Sequence, residues 1–265
     1  MYSSDTLGSG TISYTYDELN RLTKETLRDG TQIEYTYDAA GNRLTKKIGA
    51  NTTNYIYNAA NELTTVGETT YTCDKNGNLI DDGSKKYEYD FNNRLTTVRN
   101  KSDNSVIATY TYDADGRRTS KTVGTTVIKY YYDGNSTRVL YETDGNGALQ
   151  VRYIFGDGDT PIAMVRGTTT YFFHYNGHGD VVALTDSTGA AVAEYDYDAW
   201  GNTVTTGREG AVVNPYRYAG YRYDSETGLY YLNARYYKAD VGRFISRDTF
   251  QGLEDEPLTL NLYVS

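Results

Sequence analysis

Tyrosine falls on a beat in this chain, and the beat limits what the chain can fold into. Of 265 residues, 30 are Tyr, against six Phe and one Trp. Tyr-x-Tyr or a close variant opens at Tyr14, Tyr35, Tyr55, Tyr71, Tyr87, Tyr110, Tyr130, Tyr153, Phe173, Tyr195 and Tyr216, in steps of 16 to 23 residues. Self-similarity at such a period marks a repeat architecture, in which each unit is one supersecondary element that cannot bury its apolar face alone. A repeat running nearly end to end predicts one continuous array rather than two independent domains. It also favours a surface or a container over a pocket enzyme.

The unit reads as a β-hairpin. In Tyr35-Thr36-Tyr37-Asp38-Ala39-Ala40-Gly41-Asn42-Arg43-Leu44-Thr45, alternation with period two puts both rings on one face of a strand and Thr36 on the other. Asp38 can accept from its own downstream backbone, and Gly41-Asn42 tolerates positive φ. Arg43-Leu44-Thr45 then opens the returning strand. Sister copies run from Tyr14 through Asp17, Asn20, Arg21 and Leu22, from Tyr87 through Asp90, Asn93, Arg94 and Leu95, and from Tyr110 through Asp113, Gly116 and Arg117. Second turns such as Arg28-Asp29-Gly30 and Ile48-Gly49-Ala50-Asn51 separate them. The period predicts about twenty strands, a width at which an open twisted sheet must curl or coil. No capped apolar pattern of helical period is present, so the fold class is all-β.

Hydrophobic residues make up 38% of the chain, Tyr included, and mean hydropathy is −0.66. That is lean for a dense core, and Tyr suits a half-wet surface, which predicts a broad sheet with much of both faces accessible. The net charge of −9, from 35 acidic and 26 basic residues, repels phosphate backbones and excludes nucleic acid as a sequence-independent partner. The single cysteine, Cys73, excludes an intramolecular disulfide framework and reads as a buried, inert thiol in a second-aromatic slot. Residues 1–13 carry no apolar signal core, and no run approaches the ~18 apolar residues of a membrane helix.

Catalytic and metal signatures are weak. His174 and His178 are the only histidines, and their i, i+4 spacing suits a metal only on a helix, whereas the surroundings read as strand and turn. Asp144-Gly145-Asn146-Gly147 and Gly156-Asp157-Gly158-Asp159 lack the closing Glu of a calcium loop and carry the residue types hairpin turns require. No Gly-x-Ser-x-Gly, P-loop or dinucleotide fingerprint occurs, and no carboxylate pair stands out as glycosidic. No cofactor is expected.

Two longer stretches are more specific. His174 through Gly189, followed by Tyr195-Asp196-Tyr197-Asp198-Ala199-Trp200-Gly201-Asn202, precedes a segment containing Tyr223, Asp224, Thr227, Gly228, Leu229, Tyr230, Arg235, Tyr236, Tyr237, Gly242, Arg243, Phe244 and Asp248. With the Tyr-Asp units, these stretches resemble the YD repeats and core signature of the RHS family, over essentially the whole chain. The wording of Arg247-Asp248-Thr249-Phe250-Gln251-Gly252 is similar to wall-associated proteins of Gram-positive bacteria. The resemblance implies a spiral of antiparallel hairpins forming part of a hollow shell, which in bacterial members encloses a C-terminal toxin. Animal teneurins carry a related barrel. It divides the chain into a polar segment at 1–13, the hairpin array at 14–215, the core signature at 216–252 and a truncated tail at 253–265.

In the family, an Arg of the Arg-Tyr-Tyr run and an Asp of the following motif assist self-cleavage, and Arg235 and Asp248 match these two positions. A third Asp, in a downstream Asp-Pro-x-Gly motif, is not found after Asp248. Arg235 and Asp248 are therefore expected to be vestigial, making polar contacts at the end of the shell. Lys238-Ala239 stands where the family has Asp-Pro, so that turn is expected to differ. The implied partners are a C-terminal toxin or cargo polypeptide and the remaining repeats of a longer protein, secreted or at the cell surface, with no export signal in this chain. Lumen-facing Tyr rows would hold the cargo without specific recognition. The alternatives are a surface module binding glycan or protein through exposed tyrosines, and a remnant of an aspartate-dependent autoprotease. An array of only eleven repeats is expected to expose strand edges at Tyr14 and near the C-terminus.

Overall fold

The turn chemistry sets the architecture. In a computed structural model, residues 4–5, 10–208, 212–248 and 261–264 are described; Thr249 through Gly252 and most of the predicted tail at 253–265 lie outside the described residues, as do parts of the 1–13 segment. At each YD turn the aspartate folds the chain back on itself. The Asp38 amide donates to the Asn42 carbonyl at 2.9 Å and Gly41 N–H returns to the Asp38 carbonyl at 3.2 Å. Asp38 Oδ1 also accepts from the Asn42 amide at 2.8 Å. At the four-residue turns the fourth residue has positive φ, +79° at Gly41 and +58° at Asn20, a conformation that Gly and Asn adopt most readily. The register slips by one residue between Thr36 and Tyr37, giving the bulge expected of such a loop.

Every regular element among the described residues is a β-strand, except one 3₁₀ turn at Tyr218–Gly220, so the all-β prediction holds. The chain divides into two compact units, Met1–Lys86 with Gly242–Ser265, and Tyr87–Val241. The first contains an 8-stranded antiparallel sheet in chain order, from Ser4–Asp5 to Thr69–Thr70, and a short hairpin, Thr72–Cys73 with Leu79–Asp81. In the second, antiparallel strands again follow chain order, from Leu95–Asn100 to Thr203–Arg208. A meander of Arg222–Asp224, Leu229–Leu232 and Arg235–Lys238 follows. Neither run of strands closes on itself. The edge predicted at Tyr14 is covered, because Ser4 and Asp5 pair with Ser13 and Ile12.

The tyrosines do not face water on both sides. The first ring of most pairs is buried, with Tyr35, Tyr55, Tyr87, Tyr110, Tyr130, Tyr153 and Tyr195 between 2% and 5% exposed. Thr36, between the two rings, is exposed and shares a hydrogen bond with Thr45 across the strands at 2.7 Å. The ring-bearing face is thus an aromatic core, and the expectation of open Tyr rows fails for a physical reason: in the second unit a later segment packs onto it, with Tyr216 5.0 Å from Tyr153 and Tyr236 5.3 Å from Tyr110. In the second unit Tyr130, Tyr153, Phe173, Tyr195, Tyr197 and Tyr216 join Val151, Met164, Val181 and Leu184 in one core cluster.

Where the second ring of a pair is Tyr, it often has a different task. Its hydroxyl donates to a main-chain carbonyl of the preceding hairpin: Tyr37 to Leu22, 2.7 Å; Tyr57 to Arg43, 2.8 Å; Tyr132 to Arg118, 2.7 Å; Tyr175 to Pro161, 2.6 Å; Tyr197 to Val181, 2.9 Å. A ring packs and its hydroxyl satisfies a backbone acceptor freed by the bulge. The turn arginine adds a forward link. Arg21 Nε donates to Asp17 at 2.7 Å, its Nη1 reaches the Asp38 carbonyl at 2.6 Å, and its guanidinium lies 5.2 Å from the Tyr37 ring centroid. Arg94 and Arg117 repeat this arrangement. The Tyr-Asp-Arg pattern is therefore a staple from these three hairpins to the next.

Candidate functional site

The core signature forms buried polar seams within each unit. In the second unit Asp224 ends the strand Arg222–Asp224 and is 2% exposed. Arg118, 1% exposed, donates to it through Nη1 at 2.5 Å, and Lys121 Nζ lies 2.9 Å away. Lys121 also meets Glu226 at 3.0 Å. The Arg118 guanidinium sits among the rings of Tyr231, Tyr130, Tyr110 and Tyr236, at 4.4 to 5.9 Å. Burial alone would raise the Asp224 carboxyl, but Arg118 and Lys121 hold it below the usual carboxylate range.

A second buried pair joins Arg222 to Glu142. Tyr153 donates its hydroxyl to Glu142 Oε1 at 2.8 Å. The Arg222 guanidinium is covered by the rings of Tyr130 and Tyr216, at 4.8 and 5.0 Å. Burial opposes the Glu142 charge, yet Arg222 keeps the carboxyl below its ordinary value.

The remaining signature residues lock this meander. Thr227 Oγ1 donates to the Asp224 carbonyl at 3.2 Å and Gly228 N–H to the same oxygen at 2.8 Å. Leu229 is fully buried and Tyr230 donates to the Gly201 carbonyl at 2.8 Å. Tyr236 is buried, its hydroxyl 3.0 Å from that of Tyr112, while half-buried Tyr237 donates to the Trp200 carbonyl at 3.0 Å. Tyr223 is half-buried, its ring 4.8 Å from that of Tyr230. Arg235 is half-buried and pairs in register with Leu232. At Lys238-Ala239 the chain still turns, with Lys238 bound to Asp240 at 2.9 Å and the Ala239 carbonyl accepting from Asn202 at 3.1 Å.

In the first unit Gly242 adopts φ of +65° and leads into Arg243, 4% exposed. Arg243 donates to Asn42 Oδ1 at 2.7 Å and to the Asn61 carbonyl at 2.6 Å, and lies 4.7 Å from the Tyr57 ring centroid. None of these partners is a carboxylate, and burial pulls the Arg243 pKa below the ordinary arginine value. Asn261 Nδ2 donates to the same Asn42 oxygen at 2.7 Å. Phe244 is buried and its amide donates to the Tyr263 carbonyl at 3.0 Å; the Asp248 amide donates to Leu262 at 2.9 Å. Arg235 belongs to one unit and Asp248 to the other.

The weaker candidates fall where hairpins put them. His174 is exposed on a strand, its Nε2 2.9 Å from Thr185 Oγ1. Asp144 caps its own turn, accepting from the Asn146 and Ala148 amides at 2.9 Å. Among the described residues no group of three His, Cys, Asp or Glu could hold a metal ion, and no helix is long and apolar enough to cross a membrane. Cys73 is half-buried rather than buried, and burial pushes its thiol up to about 11. Sequence reading missed Arg118, Lys121, Glu142 and Arg222. Arg118 follows the turn arginine of its hairpin and Glu142 stands opposite Tyr130 in register, but neither position carries a local signal of its distant partner.

His178 gives a pH test. Its Nδ1 lies 2.9 Å from Asp180 Oδ1, which also accepts from the Ala219 amide at 2.7 Å. The hydrogen bond to Asp180 raises the His178 pKa above 6.5, against the opposing effect of burial. A raised folded pKa contributes stability that is complete below the unfolded value near 6.5 and lost as pH rises through the folded one. The thermal midpoint of the chain should therefore exceed that of His178→Ala more at pH 5.5 than at pH 8.5. A difference between the two proteins that is the same at both pH values would contradict this.

A chain-ordered ladder of antiparallel hairpins, stapled by Tyr and Arg and locked by a buried C-terminal signature, defines a β-hairpin repeat protein. The family model described as Teneurin YD-shell matches residues 4–265, and the chain belongs to this family. It is 47% identical over 253 residues to the tRNA nuclease WapA of Bacillus subtilis strain 168, covering 94% of this chain and 11% of that protein. It is 28% identical over 260 residues to Teneurin-1 of Gallus gallus, covering 94% of this chain and 10% of that one. The crystal structure of TcdB2-TccC3 matches its fold with a TM-score of 0.53 and 18% identity, over 96% of this chain and 18% of that one. The chain spans about a tenth of the length of these curated relatives.

Proposed function

We propose that this chain is a stretch of shell wall within a longer secreted or cell-surface protein, enclosing a C-terminal toxin or cargo polypeptide and having no catalytic activity of its own. The observation that carries the reading is where the polar side chains are spent. Turn aspartates, turn arginines and core-signature charges bind one another or the backbone, as in Asp17 with Arg21 and Asp224 with Arg118. In this reading Arg235 and Asp248 make structural contacts, and the nuclease activity named for the Bacillus relative resides outside the matched stretch. The acidic balance of −9 supports that assignment. Because the first tyrosine of most pairs is buried, cargo would meet mainly exposed polar side chains and no continuous ladder of open rings.

The test is limited proteolysis of the full-length protein that carries this segment, with this chain incubated separately with tRNA. The sequence following residue 265 should resist protease in the folded protein and be cut after unfolding in urea, and the isolated chain should leave tRNA intact. Equal digestion in both states would remove the enclosure reading, and tRNA cleavage by the chain would remove the inactive-wall reading. A surface-binding role has one observation of its own. Tyr131 and Tyr141 stack at 4.5 Å with an interplanar angle of 10°, and both are more than a third exposed. Glycan binding abolished by Tyr131→Ala would favour it.

A further inference from the structure

A cavity of about 280 Å³ opens beside the Arg222–Asp224 strand in the second unit. Its charged lining is Lys121, Glu142, Arg166, Arg217, Arg222 and Asp224. Ile128, Val212 and Pro215 supply apolar wall, and Tyr130, Tyr195 and Tyr223 supply aromatic wall. We propose that this cavity binds an oxyanion, a carboxylate or phosphate group, held by Arg222 and Arg166.

The donors are already in place. Arg222 is 7% exposed, with its guanidinium faces covered by Tyr130 and Tyr216, so only its in-plane N–H groups can bond. One nitrogen, Nη2, is taken by Glu142. Nη1 and Nε are buried with no well-formed hydrogen bond to an acceptor among the described residues, and so is Nε of Arg166. Buried charged donors without acceptors are rare and costly, and an unfilled guanidinium in a cleft marks the place of a missing acceptor. Guanidinium N–H groups match carboxylate and phosphate oxygens in geometry and charge.

The local charge balance agrees. Asp224 and Glu226 are met by Arg118 and Lys121, and Glu142 by Arg222. Arg166 adds its charge beyond these pairs and favours the Glu142 carboxylate through space. Low-dielectric walls of Tyr, Ile, Val and Pro strengthen the attraction for an entering anion.

The experiment is thermal unfolding of the whole chain at pH 7 with inorganic phosphate, succinate or a short Asp-rich peptide, each against sodium chloride of equal ionic strength. A saturable rise in the unfolding midpoint of about 2–4 °C above the chloride control is expected for at least one of them. A rise with phosphate alone assigns a phosphate ligand. A rise with succinate or the peptide assigns a carboxylate, from a small molecule or from a polypeptide respectively. Arg166→Gln, which breaks no hydrogen bond of its Nε, should fold with an unchanged or higher midpoint and lose the rise. No saturable rise with any of the three, or an undiminished rise in Arg166→Gln, would overturn the proposal.

Discussion

Asp224→Ala should cost about 3–5 kcal/mol of folding stability, the range expected when one partner of a buried ion pair is removed. Arg118 is 1% exposed and boxed by four tyrosine rings. Among the described residues Asp224 is the carboxylate that bonds it, whereas Glu226 contacts Lys121 instead. The guanidinium would then be stranded in a site with little water to solvate it. Urea denaturation followed by tyrosine fluorescence measures the loss. The paired substitution Arg118→Met with Asp224→Leu should recover most of it, because an apolar pair of similar bulk avoids the desolvation cost altogether. A loss under about 1 kcal/mol for Asp224→Ala would mean that the seam is solvated and that the packing described for it is wrong.

The second large effect is expected at Arg243. Its guanidinium bonds Asn42 at 2.7 Å and the Asn61 carbonyl at 2.6 Å, between the rings of Tyr57 and Tyr263 at 4.7 and 5.0 Å. Lysine keeps the charge but cannot present planar donors in two directions or stack as a plate. Arg243→Lys should cost about 1.5–3 kcal/mol, the worth of a charged hydrogen bond, with additional loss from a buried ammonium that lacks a carboxylate. Nearby Arg247 is a useful contrast. It pairs with Glu62 at 2.6 Å, but its own side chain is 35% exposed, so Arg247→Ala should cost no more than about 1 kcal/mol. Equal losses at the two positions in the same urea assay would show that burial does not set the difference.

These two sites mark the boundary of what the sequence could disclose. The turn at Asp38 was legible residue by residue, because an aspartate side chain, a positive-φ Gly and a returning Arg-Leu-Thr act within a few positions of one another. The same holds at Asp17, Asp90 and Asp113, whose arginine partners lie four residues on. Arg243 was legible as part of a signature, but its partners Asn42 and Asn61 were not. Arg118 and Glu142 were not legible at all as members of the seam, since their partners lie 106 and 80 residues away. The expectation of wet tyrosines failed for the same reason: alternation identifies which rings share a face, but it does not say what covers that face.

The tyrosine beat by itself determined an all-β hairpin array, the position of its turns and its membership of a repeat family, because those properties depend on backbone and side-chain rules acting within one hairpin. Tertiary structure alone decided that the first tyrosine of most pairs is buried, that the second staples the neighbouring hairpin, and which arginine neutralises which carboxylate. Burial and ion pairing depend on residues 80 to 106 positions away packing onto the strands, and no single repeat contains that information.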